Sequence, residues 1–486
     1  MKKKSVTQNY IYNLIYQILA MVVPLITTPY LSRALGAEAI GIYSYTYSTM
    51  TYFLLIGMLG STLYAQREIA YVQNNEKERS KIFFEIIIMR FITIGISTIL
   101  FYLKFGINSE YAIYYRIFVL EFIATMLDTG WFFQGMEEFK KIILRNIIIK
   151  FTSIILIFVL VKTPEDLSKY IWIYVLSTFL GSSAIIVYLK NYIVKVKIKE
   201  LNIKRHMKPT IILLIPQIAT QIYTVLDRVM IGNITGDMYE VGFYEQAQKI
   251  IKLLLTVLTS LGTIMLPRIA NEFANGKNDN IQKYIKNSFN YIFFIGIPMI
   301  FGIISVSKEF VPIFYGDGYE RVGILLNLLS ILVLLSGMTD ILGIQYLLPT
   351  KKQKQYNISI IIGAVTNVVL NIILIRHFRS VGACIATIIA ELSIFIVQSI
   401  YVRKTIDIKK YIILSKNYII SGIVMFIACS LINIINTSEI ILLIIKVLVG
   451  VSAYGTVLLI LKDDFLMEVI GKIKEKISFR NKEHVE

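Results

Sequence analysis

Cysteine and histidine are nearly missing from this chain. Cys384 and Cys429 are its two cysteines, and His206, His377 and His484 its three histidines. Both cysteines fall inside apolar runs, so the pattern offers neither a disulfide framework nor a thiolate metal site. Histidines this far apart supply no metal cluster, and no metal is expected. Charge is scarce as well, at 17% of residues, where soluble domains carry about 25%. Hydrophobic residues make up 56% and the mean hydropathy is +0.66. That balance excludes an ordinary soluble domain and points to a polytopic membrane protein. No nucleophile, metal or nucleotide motif stands out, so no catalytic residue is assigned and the chain is not read as an enzyme.

What is present is a succession of fourteen apolar segments: 8–32, 39–63, 82–103, 111–134, 146–161, 170–189, 210–231, 239–265, 287–306, 322–349, 355–375, 382–402, 417–436 and 440–461. Lys2 to Lys4 resemble a signal-peptide start. The run after them is long, holds Gln17 and lacks a small-residue cleavage site, so it is read as a retained first span. With a cytoplasmic N-terminus the inner segments hold 35 of the 50 Lys and Arg and the outer loops 8. This positive-inside asymmetry places both termini in the cytoplasm. The net charge of +18 then reports topology and anionic inner-leaflet lipid, and no nucleic-acid partner is expected.

The longest interior polar stretch, 190–209, carries seven Lys or Arg and divides six spans from eight. The expected organisation is an N-terminal lobe at 1–189, this basic cytoplasmic linker, a C-terminal lobe at 210–402, two further spans at 403–461 and a basic tail at 462–486. Weak self-similarity supports two lobes. Gln17 matches Gln217 and Gly36 matches Gly236 at offset 200, and Gly41, Tyr43 and Arg67 match Gly242, Tyr244 and Arg268 at offset 201. Six intervening spans make this a parallel repeat about an axis along the membrane normal.

Polar stripes on two apolar helices carry the functional signal. Glu245, Lys249, Lys252, Thr256, Thr259 and Thr263 follow steps of 4, 3, 4, 3 and 4, which is one helical face. Gln217, Gln221, Thr224 and Arg228 do the same on the preceding helix, widened by Thr220, Tyr223 and Asp227. At ~1.5 Å per residue, Lys249 and Lys252 lie about 15 to 20 Å into their span, where an ionised group is unfavourable by roughly 2.5 to 3.5 kcal/mol unless it faces a cavity or a partner. The plain alternative is a buried Glu245–Lys249 pair, which leaves Lys252 and the threonines unexplained. The first-half counterparts at offset 201 are Ser44, Ser48 and Thr51, polar but uncharged. Two lobes rocking about a polar cavity, with the charge in the second, would give alternating access.

Other intramembrane groups divide by depth. Arg90, Arg116, Lys150 and Lys446 lie near span ends and read as snorkelling side chains. Glu121, Asp128, Asp340 and Glu391 are carboxylates that either bind a coupling H⁺ or Na⁺ or pair with a lysine of another helix. Pro24, Pro29, Pro216 and Pro298 each remove a backbone hydrogen bond and are candidate bending points. Tyr43, Tyr45, Tyr47 and Tyr52 crowd one half of the second span, as an interfacial aromatic belt or as platforms for sugar rings.

YLSRALGAEAIGIYSY from Tyr30, YAQREIA from Tyr64, LDRVMIGNITG from Leu226 and VGFYEQAQKI from Val241 resemble polysaccharide transporters of the multidrug/oligosaccharidyl-lipid/polysaccharide exporter superfamily. The resemblance implies two six-helix lobes in a V plus two C-terminal helices, and the export of undecaprenyl-diphosphate-linked oligosaccharide units, as O-antigen and capsule flippases perform it. It makes Lys249, Lys252 and Arg228, then Arg33 and Arg67, the candidate cationic contacts, with Gln17, Gln217, Gln221, Ser48 and Thr256 beside them. Asp227, inside the LDRVMIG motif, would hold Arg228 or a coupling cation, as would Glu245, Asp128, Glu121 or Asp340. A bacterial cell membrane, membrane lipids, a glycan polymerase and a chain-length regulator are the implied surroundings. The Ser and Thr stripe stands where lipid II flippases concentrate arginine, which argues against a peptidoglycan precursor. The rival functions are a cation-coupled multidrug antiporter of the same superfamily and a membrane glycan polymerase. The cationic stripe disfavours the first and the short outer loops the second.

Overall fold

Apolar segments of membrane length satisfy their backbone most cheaply as helices, because hydrocarbon offers no other partner for N–H and C=O groups. The structure is a computed structural model. It describes the backbone of residues 6–471, and their side chains except those of 6–20, 139–141, 144, 215–216, 219–220, 222–224 and 414. All fourteen expected segments are helical over most of their length, and the described residues contain no strand. Nine helices among them are long and apolar enough to cross a membrane as uninterrupted candidates.

The chain forms two compact units, Met1–Glu245 and Gln246–Glu486. The first contains α1 (Val6–Met58), α2 (Ser61–Tyr71), α3 (Glu76–Phe101), α4 (Ala112–Leu127), α5 (Gly130–Gly135), α6 (Phe139–Leu160), α7 (Leu167–Ile186), α8 (Lys204–Thr235) and the first turns of α9 (Met238–Ala274). The second contains the rest of α9, α10 (Asn278–Tyr315), α11 (Glu320–Leu329), α12 (Ile331–Asp340), α13 (Gln353–Val402), α14 (Ile408–Leu414), α15 (Lys416–Leu431) and α16 (Glu439–Ile460). The division between them falls within α9. Linker residues bind α3. Glu85 on α3 accepts from the Asn202 amide at 2.6 Å, from Arg205 at 2.5 Å and from His206 Nε2 at 2.8 Å.

Two spans are joined without a loop in α1 and again in α13, and the non-helical residues inside them are Gly36 (φ 77°) and Arg379 (φ 52°). Helical geometry in α1 breaks at Gly36, whose lack of a Cβ permits the left-handed backbone, and not at Pro24 or Pro29. Each unit has its own core. Leu35, Met50, Phe101, Phe118, Phe122 and Ile171 are among the buried residues that seal the first, while Phe289, Phe293, Ile341 and Leu342 seal the second, with Tyr411 stacked on Phe289 at 5.1 Å.

Two of the expected snorkelling cations are buried. Arg90 is 1% exposed and donates to the carbonyls of Thr125 and Asp128, satisfying the C-terminal end of α4. Lys446 on α16 is 2% exposed and pairs with Glu309 on α10 at 2.7 Å. Partners within reach make burial cheaper than snorkelling. Arg116 donates to the Gly106 carbonyl at 2.7 Å, at the foot of a π-helical turn that ends α3.

Candidate functional site

Two glycines matched in the sequence, Gly41 and Gly242, come together in the first unit. A Cβ on Gly41 would sit 1.8 Å from the Met238 carbonyl oxygen, and one on Gly242 2.0 Å from that of Ala37. The two matched glycines therefore let α1 and the start of α9 cross backbone against backbone. One turn further, Ser44 donates to Glu245 at 3.1 Å. Their offset is again 201, as expected for equivalent residues facing each other near a local two-fold axis. Glu245 also pairs with Arg228, and Tyr244 donates its hydroxyl to Asp227. Asp227 and Arg228 are both buried. This cluster sets one guanidinium against two carboxylates, so Arg228 is held inside protein as part of a network. Glu245 takes its cation from Arg228 rather than only from its own helix.

Beyond the crossing, α9 turns its polar stripe outward. Lys249 is half-buried and Lys252, Thr256 and Thr263 are exposed, while Ile251, Leu258 and Ile269 on the other side are sealed. Thr256 and Thr259 return their hydroxyl hydrogens to the carbonyls of Lys252 and Leu255, which satisfies the donors and leaves oxygen lone pairs on the exposed face. Gln217 and Gln221 are half-buried, and Tyr52 donates to the Gln221 carbonyl. Ser48 is fully buried with no hydrogen-bond partner for its hydroxyl. Arg33 is exposed and donates to Pro29. Arg67 is exposed too, bound to Glu68 at 3.2 Å and lying over the Tyr64 ring. The side chains of Gln17, Thr220, Tyr223, Thr224 and Pro216 lie outside the described residues.

The first unit also holds a cavity of about 780 Å³, away from the polar stripes of α8 and α9. Arg90, Asp128, Arg145, Asn146 and Lys150 line it together with Tyr43, Tyr170, Tyr174, Ser153, Ser177 and Thr178. The tyrosines thus form no simple belt. Tyr43 meets Tyr170 edge-on at 4.9 Å, Tyr47 meets Tyr174 at 5.7 Å, and both rings of α1 lean on Phe118. A readable signal existed for this wall. Asn146, Lys150 and Ser153 follow steps of 4 and 3 on α6, and Tyr170, Tyr174, Ser177 and Gly181 follow 4, 3 and 4 on α7.

The carboxylates separate by surroundings. Asp128 sits at the cavity wall, 3.5 Å from Arg145. Glu121 is buried with one oxygen lacking a hydrogen-bond partner. In the second unit Asp340 accepts from Gln345 at 2.9 Å, whose oxygen accepts from Ser288 at 2.7 Å, and Glu391 accepts from Thr339. A π-helical turn, Ile341–Leu347, starts directly after Asp340. Such turns often mark functional positions. Among the described residues no group of three His, Cys, Asp or Glu is placed to hold a metal ion.

Comparison with known proteins is consistent along the chain. The family described as "Polysaccharide biosynthesis protein" matches residues 6–273, and the MatE family matches 213–373. A protein of Escherichia coli (strain K12) named "Putative O-antigen transporter" is 26% identical, over 80% of this chain and 94% of that one. The "Lipid II flippase MurJ" of Bacillus subtilis (strain 168) is 30% identical over 29% of this chain and 26% of its own. Among solved structures, a lipid II flippase MurJ in an inward closed conformation covers 94% of this chain and 100% of its own at a TM-score of 0.75 and 18% identity. An inward-facing multidrug resistance MATE transporter of the MOP superfamily covers 83% and 96% at a TM-score of 0.60 and 12% identity. These structures share the fold.

Proposed function

The chain belongs to the polysaccharide biosynthesis protein family, and on that premise we propose that it moves a lipid-linked oligosaccharide from the inner to the outer leaflet of a bacterial cell membrane. The observation that carries this reading is the stripe on α9. Its lysines and threonines lie half-buried to exposed along one face of a 37-residue helix, while Ile251, Leu258 and Ile269 on the other side are buried. A hydrated diphosphate-sugar headgroup must cross roughly 30 Å of hydrocarbon. Ammonium groups offset its charge, and hydroxyl and amide groups replace its lost water. The names of relatives, "Putative O-antigen transporter" and "Probable low-salt glycan biosynthesis flippase Agl15", support a glycan cargo.

The cargo assigned is an undecaprenyl-diphosphate-linked repeat unit. Lys249 and Lys252 contact its headgroup, and Thr256, Gln217 and Gln221 flank them. Arg228, held by Glu245, positions the crossing. Transport proceeds by alternating access between lobes 1–189 and 210–402, both termini being cytoplasmic. A proton or Na⁺ bound at Asp340, Asp128, Glu121 or Asp227 couples it, with no chemical step and no other cofactor. A glycan polymerase and a chain-length regulator receive the product.

Replacing both lysines, Lys249→Gln with Lys252→Gln, is expected to abolish surface polysaccharide at unchanged membrane abundance, with lipid-linked saccharide accumulating at the inner face. Normal polysaccharide at normal abundance would remove the stripe from the mechanism. Export of cationic drugs by the unmodified protein, with polysaccharide unaffected by its deletion, would favour the multidrug reading instead.

A further inference from the structure

Helices α6 and α7 enclose more than the polar cavity. On their other side runs an apolar groove of about 990 Å³, lined among others by Leu156, Leu160, Trp172, Leu176 and Leu180. Cavity and groove are not separate features. Arg145, Ile149, Ile173, Ser177 and Gly181 line both. From Arg145 to Leu160 the groove follows α6 for about 22 Å at 1.5 Å per residue, most of the depth of a hydrocarbon core. Its walls are exposed: Trp172 is 44% and Leu180 62% accessible.

We propose that the junction of cavity and groove is a binding site for a net-anionic, phosphate-headed lipid, the chain lying in the α6–α7 groove and the headgroup passing between the helices to Arg145 and Lys150. Charge complementarity names the head. Three cations line the cavity against one carboxylate, Asp128. Arg90 is committed to carbonyls. Arg145 donates from Nε and Nη2 to the Asn146 side-chain oxygen at 3.0 and 2.9 Å, while its Nη1 reaches Asp128 and the Gly181 carbonyl only at 3.5 Å, the outer limit of a hydrogen bond. A phosphate oxygen would offer that Nη1 a charge-assisted contact of about 2.8 Å. The seam between the helices is closed by movable groups alone: the flexible end of the Ile149 side chain packs on Gly181, where a Cβ would come within 2.2 Å of it, and Ser153 and Ser177 share a hydroxyl contact at 2.8 Å, so a head entering from the groove displaces both. A hydroxyl pair opens to a phosphate by exchanging one hydrogen bond for another. The continuous apolar groove commits the site to a lipid over a free phosphate. The inference rests on the proposed function only for which lipid is natural; the site itself stands on these walls.

The chain supplies its own reporter. Trp131 and Trp172 are its two tryptophans; Trp131 is 1% exposed and Trp172 lies in the groove. Full-length protein in phosphatidylcholine bilayers is titrated with dibrominated phosphatidic acid or dibrominated phosphatidylcholine, and the signal missing from Trp172→Phe is taken as Trp172. Each cation beside an anionic headgroup contributes roughly five-fold in binding. Two cations, offset in part by Asp128, predict about a tenfold preference for phosphatidic acid. Arg145→Gln with Lys150→Gln is expected to abolish the preference, Arg145→Lys to keep most of it, and Ser177→Leu to abolish it by blocking the passage. Ser177→Leu leaves both cations in place and so decides the matter even if the double variant fails to fold. Equal quenching by the two lipids, a preference surviving both variants, or displacement by millimolar inorganic pyrophosphate would overturn the site. Quenching reads binding alone, so its failure leaves the export phenotype of Lys249 and Lys252 standing, and the reverse.

Discussion

The Lys446–Glu309 pair is a direct test of how this chain tolerates charge in its interior. The ammonium lies 2.7 Å from one carboxylate oxygen and 3.1 Å from the Ser305 carbonyl; the other carboxylate oxygen has no hydrogen-bond partner, and the two side chains are 2% and 7% exposed. Lys446→Met keeps the side-chain length and strands the carboxylate. Breaking such a pair from one side costs about 3–5 kcal/mol. The expected loss is thus about 3 to 5 kcal/mol. Adding Glu309→Leu removes the stranded charge, and the double variant should return to within about 1 kcal/mol of the parent. Denaturant unfolding of purified protein, on parent, single and double variants, reads both. A single variant no less stable than the double would refute the reasoning.

Other expectations follow from particular contacts. Gly41→Ala or Gly242→Ala forces backbone apart at the α1–α9 crossing and should cost about 2 kcal/mol or more, whereas Gly455→Ala, with nothing within 4 Å, should be neutral or gain up to ~1 kcal/mol; thermal unfolding separates them. Burial first, and Arg205 behind it, hold the His206 imidazole below its ordinary value despite Glu85. The fold therefore favours the neutral ring: its contribution is full above about pH 6.5 and declines as pH falls through that value toward the lower folded one. Melting curves between pH 8 and pH 5 should show a decline that His206→Gln lacks, and parallel curves would count against it. Asp340→Asn keeps the Ser288–Gln345 bond and should make glycan export insensitive to collapse of the H⁺ and Na⁺ gradients; unchanged sensitivity would exclude Asp340 as the coupling group.

How far the sequence carried depends on the range of the physics involved. Fourteen spans were legible because apolar length is a local property, and the structure finds helix in each. The matched positions were legible but their contact was not: the sequence pairs Gly41 with Gly242 and Ser44 with Glu245 by offset, whereas the structure packs those segments directly against each other where the sequence predicts an open cavity. Arg90 and Lys446 were misread because their partners lie 35 and 137 residues away, and nothing near either residue announces a carbonyl cluster or a carboxylate. The cavity is a different kind of miss. Arg145 stands one residue before the apolar segment 146–161, so counting charges per connection places it in a loop and hides that Asn146, Lys150 and Ser153 keep the same 4 and 3 spacing that singles out α9. Topology asks which side of the membrane a cation is on; a site asks which face of a helix it is on. Arg145 satisfies both at once, and a residue at a span end that shares a helical face with deeper polar residues is better read as the mouth of a cavity than as a marker of orientation.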